Sequence, residues 1–242
     1  MTNTNLKSSL LAEKSSNMPG GLYHKTQVQM TYNSNRIEGS KLSEEQTRAI
    51  FETKTLGISG GEVVNVDDII ETTNHFREFD CMLSQDSLTL DYIKKLHSIL
   101  KTGTADDMKT WFSVGDWKRI PNEVGDMPTT RPENVQEEME KLLAWYENSN
   151  KNFEAIVEFH YRFEKIHPFQ VSNGRVGRLL MFGEILTHDI TPFVILDTPH
   201  KLFYYRGLKE FENQKGFLID TCRSAQDIYL EWVSYFYPDI AE

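Results

Sequence analysis

The stretch His167-Pro168-Phe169-Gln170-Val171-Ser172-Asn173-Gly174-Arg175-Val176-Gly177-Arg178 places an imidazole, a tight polar turn and two guanidiniums within twelve residues. Backbone N–H groups of a turn, and those at a helix N-terminus, bind phosphate. Arginine forks grip it bidentately. A histidine at the rim can accept a proton near neutral pH. The combination predicts a phosphate-handling site with His167 as base and with Ser172, Asn173, Gly174, Arg175 and Arg178 around the anion.

Two helices must position these groups. Phe153, Ile156, Val157, His160, Phe163 and Ile166 repeat at helical spacing over 153–166. That helix should stop at His167, because a proline disfavours helical geometry in the residue before it. A helix C-terminus favours a protonated ring, so the imidazole is expected to lean toward the charged form. His160, Glu164 and His167 are spaced four and three apart and could share a face around a metal. His160 falls within the apolar stripe and reads better as a core residue.

A second helix begins near Gly174, with Leu179, Phe182 and Leu186 as its buried face and Asn173 as a candidate cap. Arg175 and Arg178 both sit in its first turn. Two cations there repel one another and the positive end of the helix, so they call for a polyanion or a carboxylate partner.

Further helical stripes run through Ile69, Phe76, Phe79 and Leu83; Leu90, Ile93, Leu96, His97 and Leu100; Val135, Met139, Leu142, Leu143 and Tyr146; and Leu218, Cys222, Ala225, Tyr229 and Trp232. Ser43 followed by Gln46 reads as a capping box before a helix over about 43–54. The stretch 56–61 reads as a loop, and 114–130, with two prolines and two glycines, as a hairpin between helices. Residues 1–22 are polar and end in Pro19-Gly20-Gly21, the pattern of a mobile arm or a loosely docked segment. The expected fold is an all-α single-domain helical bundle over 23–242 with a short β-hairpin flap.

Composition narrows the partners. The chain has 242 residues, 39% hydrophobic and 26% charged, with a formal charge of −10. An acidic chain without a basic block argues against general nucleic-acid binding, while a local arginine pair still suits a nucleotide. No apolar run reaches the roughly 20 residues that span a bilayer, and the N-terminus lacks an apolar core followed by a cleavage site. No membrane partner and a cytoplasmic setting are therefore expected. Cys81 and Cys222 read as small buried hydrophobes.

The motif resembles the signature of the Fic family, His-x-Phe-x-(Asp/Glu)-Gly-Asn-Gly-Arg-x-x-Arg. The match holds at His167, Phe169, Asn173, Gly174, Arg175 and Arg178. It departs at Val171, where the family has a metal-binding carboxylate, and at Ser172, where it has glycine. Some members also carry an inhibitory helix reading (Ser/Thr)-x-x-x-Glu-(Gly/Asn), which Ser34-Asn35-Arg36-Ile37-Glu38-Gly39 fits at the end of a helix over about 24–39. The resemblance implies a Fic-like helical fold and transfer of AMP from ATP to a hydroxyl of a protein target, or of the chain itself. It implies His167 as base, Asn173 and loop amides on the α-phosphate, Arg175 on the β-phosphate, and Arg178 on the γ-phosphate unless Glu38 occupies it. Tyr204 and Tyr205, on a helix read as Leu202–Asn213, are similar to the family's adenine-pocket aromatics, with Asn213 near an adenine-contacting asparagine. Mg²⁺ or Mn²⁺ is implied as the metal, although Val171 supplies no ligand. A catalytically quiet nucleotide-binding regulator, an AMP-removing hydrolase and assembly into a homo-oligomer stay open at this point.

Overall fold

The computed structural model describes residues 5–124 and 127–238. The described residues form ten α-helices and one two-stranded ribbon. In chain order the helices are α1 (Leu6–Ser16), α2 (Leu22–Ile37), α3 (Glu44–Thr53), α4 (Val66–Leu83) and α5 (Leu90–Lys101). The ribbon follows, β1 (Glu123–Val124) paired antiparallel with β2 (Met127–Pro128), with Val124 opposite Met127. Then come α6 (Val135–Glu147), α7 (Phe153–Ile166), α8 (Asn173–Thr187), α9 (Lys201–Glu210) and α10 (Gly216–Phe236). The all-α expectation holds. No described helix is long and apolar enough to cross a membrane.

Local sequence explains most boundaries. Ser43 Oγ accepts from Gln46 N–H while the Gln46 side chain accepts from Ser43 N–H, so the capping box before α3 is complete. Helix α2 ends in a Schellman turn: Gly39, at φ +101°, donates to Arg36 O, and Ser40 donates to Asn35 O. Helix α7 stops where Pro168 requires, with His167 in left-handed geometry at φ 53°.

One helix departs from its expected span. The helix read to Asn213 closes at Glu210, because buried Phe211 stacks on Tyr161 with centroids 4.1 Å apart and the chain turns there toward α10. Asn213 lies exposed in that turn, its N–H donating to Glu210 O.

The core runs along α8. Phe182 lies 5.5 Å from Phe79 of α4 and 5.9 Å from Tyr229 of α10. Phe159, Phe163 and Phe169 are fully buried beside it. Helix α2 is wrapped by neighbours: eleven of its sixteen residues are buried. Two of its buried threonines find partners, with Thr26 Oγ1 2.7 Å from the Tyr229 hydroxyl and Thr31 Oγ1 3.0 Å from His75 Nδ1. A helix buried this fully is a fixed part of the bundle.

The expected loose arm is different in form. Residues 6–16 are helical, capped by Asn5, and Leu10 is fully buried. The buried Glu13 carboxylate accepts from Tyr23 N–H at 2.7 Å and from the Tyr237 hydroxyl, tying α1 to α2 and to the end of α10. The polar composition concealed a short leucine stripe that docks by one fully buried side chain and one buried acceptor. Leu10→Ala should therefore cost about 2–5 kcal/mol in urea unfolding. An unchanged midpoint would return this segment to the status of a loose arm.

Candidate functional site

The bend between α7 and α8 is built by its own side chains. Asn173 folds back over it: Phe169 N–H donates to Asn173 Oδ1 and Asn173 Nδ2 donates to Phe169 O, both at 2.8 Å. Asn173 therefore clasps the bend instead of capping α8, which corrects the cap expected from sequence. Ser172 takes the cap position at φ 70°, a conformation costing a non-glycine residue about 1 kcal/mol. Its Oγ accepts from Arg175 Nη2 at 2.7 Å. The first intrahelical bond runs from Val176 N–H to Ser172 O, so the N–H groups of Asn173, Gly174 and Arg175 lie ahead of the helical ladder.

Both arginines are buried and both have found carboxylates. Arg178 donates to Ser34 Oγ at 3.1 Å, Ser34 O at 2.9 Å and Glu38 Oε1 at 2.8 Å. Its side chain is 3% exposed, whereas that of Glu38 is 30% exposed. Burial alone would push the Glu38 carboxyl up, but Arg178 and Arg175 hold it below the usual range. The carboxylate sits over the start of α8: a Cβ at Gly174 would collide with Glu38 Oε1 and lie 2.9 Å from Arg178 Nη1. The anion position at this helix end is thus held by a side chain of α2.

Arg175 is gripped from the other side. Its Nη1 lies 2.5 Å from Glu71 Oε2, its Nη2 lies 3.2 Å from Glu71 Oε1, and Asn35 Oδ1 accepts from Nη1 at 3.3 Å. Glu71 is fixed in turn by Lys101 at 2.5 Å, which also reaches Asp106 at 2.7 Å. Two cations and two carboxylates balance there. Sequence reading missed Glu71. Glu71, His75 and Glu78 follow helical spacing on α4, and His75 and Glu78 are fully buried. Burial pushes the Glu78 carboxyl up to about 8 against the pull of both arginines, so it is a neutral acid beneath them at pH 7.

His167 differs from its expected charge state. Burial first, and the nearby Lys118 ammonium second, lower it from 6.5 to about 4. These outweigh the pull of the Glu164 carbonyl and of Glu38, so the ring is neutral at pH 7. Its Nδ1 lies 3.3 Å from Glu164 O. A carbonyl only accepts, so Nδ1 carries the hydrogen and Nε2 keeps a free lone pair.

The remaining predicted residues divide. Tyr204 is 1% exposed; its hydroxyl lies 2.7 Å from His160 Nε2 and its ring centroid 5.9 Å from Arg178 Cζ. It forms the floor under the arginine. Tyr205 is 43% exposed and its hydroxyl donates to Ile37 O at 3.4 Å, at the end of α2. Asn213 makes no hydrogen bond with the motif.

The donor set does not suit a divalent cation. Val171 is exposed and has no oxygen to offer. Glu38 and Glu71 are committed to arginines, and His160 Nε2 to Tyr204. Among the described residues no group of three or more His, Cys, Asp or Glu side chains could hold a metal.

Residues 87–183 match the Fic/DOC family. The chain is 29% identical over 188 residues to a protein adenylyltransferase Fic of Nematostella vectensis, covering 75% of this chain and 42% of that one. It is 29% identical over 184 residues to protein adenylyltransferase fic-1 of Caenorhabditis elegans, covering 73% and 35%. The chain thus spans well under half the length of these relatives. Among solved structures, a Fic domain containing signaling protein from Bacteroides thetaiotaomicron superposes with TM-score 0.70 at 22% identity, over 97% of this chain and 92% of that one. A Fic family protein from Desulfovibrio desulfuricans gives 0.73 at 23% identity, over 95% and 72%.

Removing Glu71 would strand the buried Arg175 without its carboxylate. Glu71→Ala should cost about 3 kcal/mol in denaturant unfolding, the lower end for a broken buried pair, because Lys101 keeps Asp106. A loss below about 0.5 kcal/mol would show that the contact is incidental.

Proposed function

We propose that this chain, whose residues 87–183 match the Fic/DOC family, transfers AMP from ATP to a hydroxyl of a protein, restrained by Glu38. One observation carries the reading: a carboxylate seated on Arg178 at the head of α8, beside a neutral imidazole. A carboxylate in that place resembles a phosphate in charge and in its acceptors.

In the proposed reaction, ATP lies along the bend with its phosphates toward α8. The first-turn N–H groups of α8, from Asn173 to Arg175, receive the α-phosphate. Arg175 faces the β-phosphate, and Arg178 takes the γ-phosphate once Glu38 turns out. Ser172 and Asn173 act by shaping the bend and orienting Arg175. His167 Nε2 accepts the proton of the attacking hydroxyl. The hydroxyl oxygen bonds to the α-phosphorus, the bond from that phosphorus to the bridging oxygen breaks, and pyrophosphate departs. Positioning and charge neutralisation carry most of such a transfer. Exposed Tyr205 would meet the adenine side with Tyr204 beneath it, and Asn213 would approach only at the edge. The hairpin presents a short, exposed strand edge beside an open cleft of about 690 Å³ lined by Asn122, Glu123 and Arg131, a fit for an extended target segment.

Release needs only the Glu38 side chain to move, since α2 itself is held on several faces. Glu38→Gly should tighten ATP binding about 10-fold or more, because a buried arginine loses a competing charge-assisted bond. Calorimetric titration reads this, and intact mass after incubation with ATP should show a gain of one AMP. Unchanged affinity and no mass gain would contradict restraint by Glu38.

Val171 favours a second reading, a nucleotide-binding regulator with little turnover. Its side chain leaves the position of the usual metal-binding carboxylate without an oxygen. Val171→Asp should raise AMP incorporation at least about 10-fold in Mg²⁺ or Mn²⁺, by analogy with the cost of disturbing metal ligation. No gain with either cation would remove position 171 as the limiting feature.

A further inference from the structure

Lys118 is 3% exposed, and among the described residues no carboxylate pairs with it. Its Nζ donates to Thr129 Oγ1 at 2.6 Å, to Asn122 Oδ1 at 2.7 Å and to Ile166 O at 3.4 Å. Its backbone N–H donates to Pro168 O at 2.9 Å. The acceptors belong to two places at once. Ile166 and Pro168 flank His167, while Asn122 and Thr129 bracket the hairpin. Asn122 completes the link by donating to Phe169 O at 3.1 Å and Gln170 O at 3.3 Å. Beneath it Phe169 is stacked on His97, with centroids 4.1 Å apart, and faces Trp117 at 5.2 Å. A buried ammonium without an anionic partner is costly, and burial lowers it to about 8. Packing does not explain a charge in this place, because three neutral oxygens could equally hold a neutral donor.

We propose that Lys118 is a positioning residue for His167, joining the hairpin to the bend and setting a positive charge beside the imidazole so that its free nitrogen remains a base. This deepens the transferase reading and rests on His167 as its base. The charged groups acting on His167 are few. Lys118 comes from the hairpin stem and Glu38 from α2, and they act in opposite directions. Arg178 of α8 is turned to Ser34 and Glu38, and Glu164 of its own helix presents its backbone carbonyl to the ring. When Glu38 leaves, its raising pull is lost, and burial and Lys118 act together against the Glu164 carbonyl. Departure of Glu38 would thereby hold the ring more completely in its unprotonated form, as a weaker proton acceptor.

Carbon-detected titration of labelled histidines tests this without turnover. In the parent protein, His167 should titrate near 4; a midpoint in the ordinary range near 6.5 overturns the proposal without any substitution. In Lys118→Met the midpoint should rise by about one unit or more, as expected when a close like charge is removed. Lys118→Gln, which keeps hydrogen-bonding capacity, should behave like Lys118→Met, and Lys118→Arg like the parent. Equal midpoints in Met, Gln and parent proteins would reduce Lys118 to a structural strut. Where AMP transfer is measurable, the acid limb of kcat should move up with the midpoint while KM for ATP stays constant. If the midpoint moves and no protein gains AMP, the transferase reading fails and the assignment of Lys118 stands.

Discussion

Two guanidiniums buried at the positive end of one helix are the constraint from which the site follows. Neither the helix nor the arginines can be satisfied by hydrocarbon or by each other. Arg175 answers this with Glu71, itself pinned by Lys101 and Asp106. Arg178 answers with Ser34 and Glu38 from a different helix. The answers are unequal. Glu71 is locked within a balanced cluster and its side chain is 13% exposed, whereas Glu38 hangs from the last turn of α2 with 30% of its side chain open. Arg175 is therefore paired with the more enclosed carboxylate, and Arg178 with the more exposed one.

The bundle around this pair is built to keep α2 in place. Its threonines bond to α10 and α4, and its Schellman turn presents Glu38 at a fixed height over Gly174. With a helix held this firmly, the proposed restraint would be a matter of one side chain. Under the proposed function, competition between Glu38 and a phosphate would be an exchange of anions at a single helix end, with little rearrangement of the fold.

Much of this was legible in the residues. Period-3.6 stripes located most of the helices, Pro168 fixed the end of α7, and paired first-turn arginines announced a missing anion. Glu38 was found through the resemblance of Ser34–Gly39 to the inhibitory-helix motif. What escaped depended on distance in sequence. Glu71 lies 104 residues before Arg175, and a glutamate on an amphipathic helix looks solvated until its neighbours are known. The charge state of His167 was misjudged because the helix end is visible in sequence, while burial and the ammonium of Lys118 are not. Asn173 was read as a cap, since local rules cannot tell that the bend curls back far enough for it to hold Phe169. The docked α1 was hidden because its burial rests on one leucine and one acid, too little for a periodicity to show.

The claim that one anion position serves both Glu38 and a nucleotide's phosphate can be measured at the carboxyl carbon of Glu38. Its ionisation can be followed by carbon NMR with and without saturating ATP. Arg178 and Arg175 now hold it below the usual range. If phosphate displaces the carboxylate, its midpoint should climb back toward the ordinary 4.5 of a free glutamate. A midpoint that stays depressed while ATP is bound would mean that Glu38 keeps its arginine, and that the nucleotide lies elsewhere.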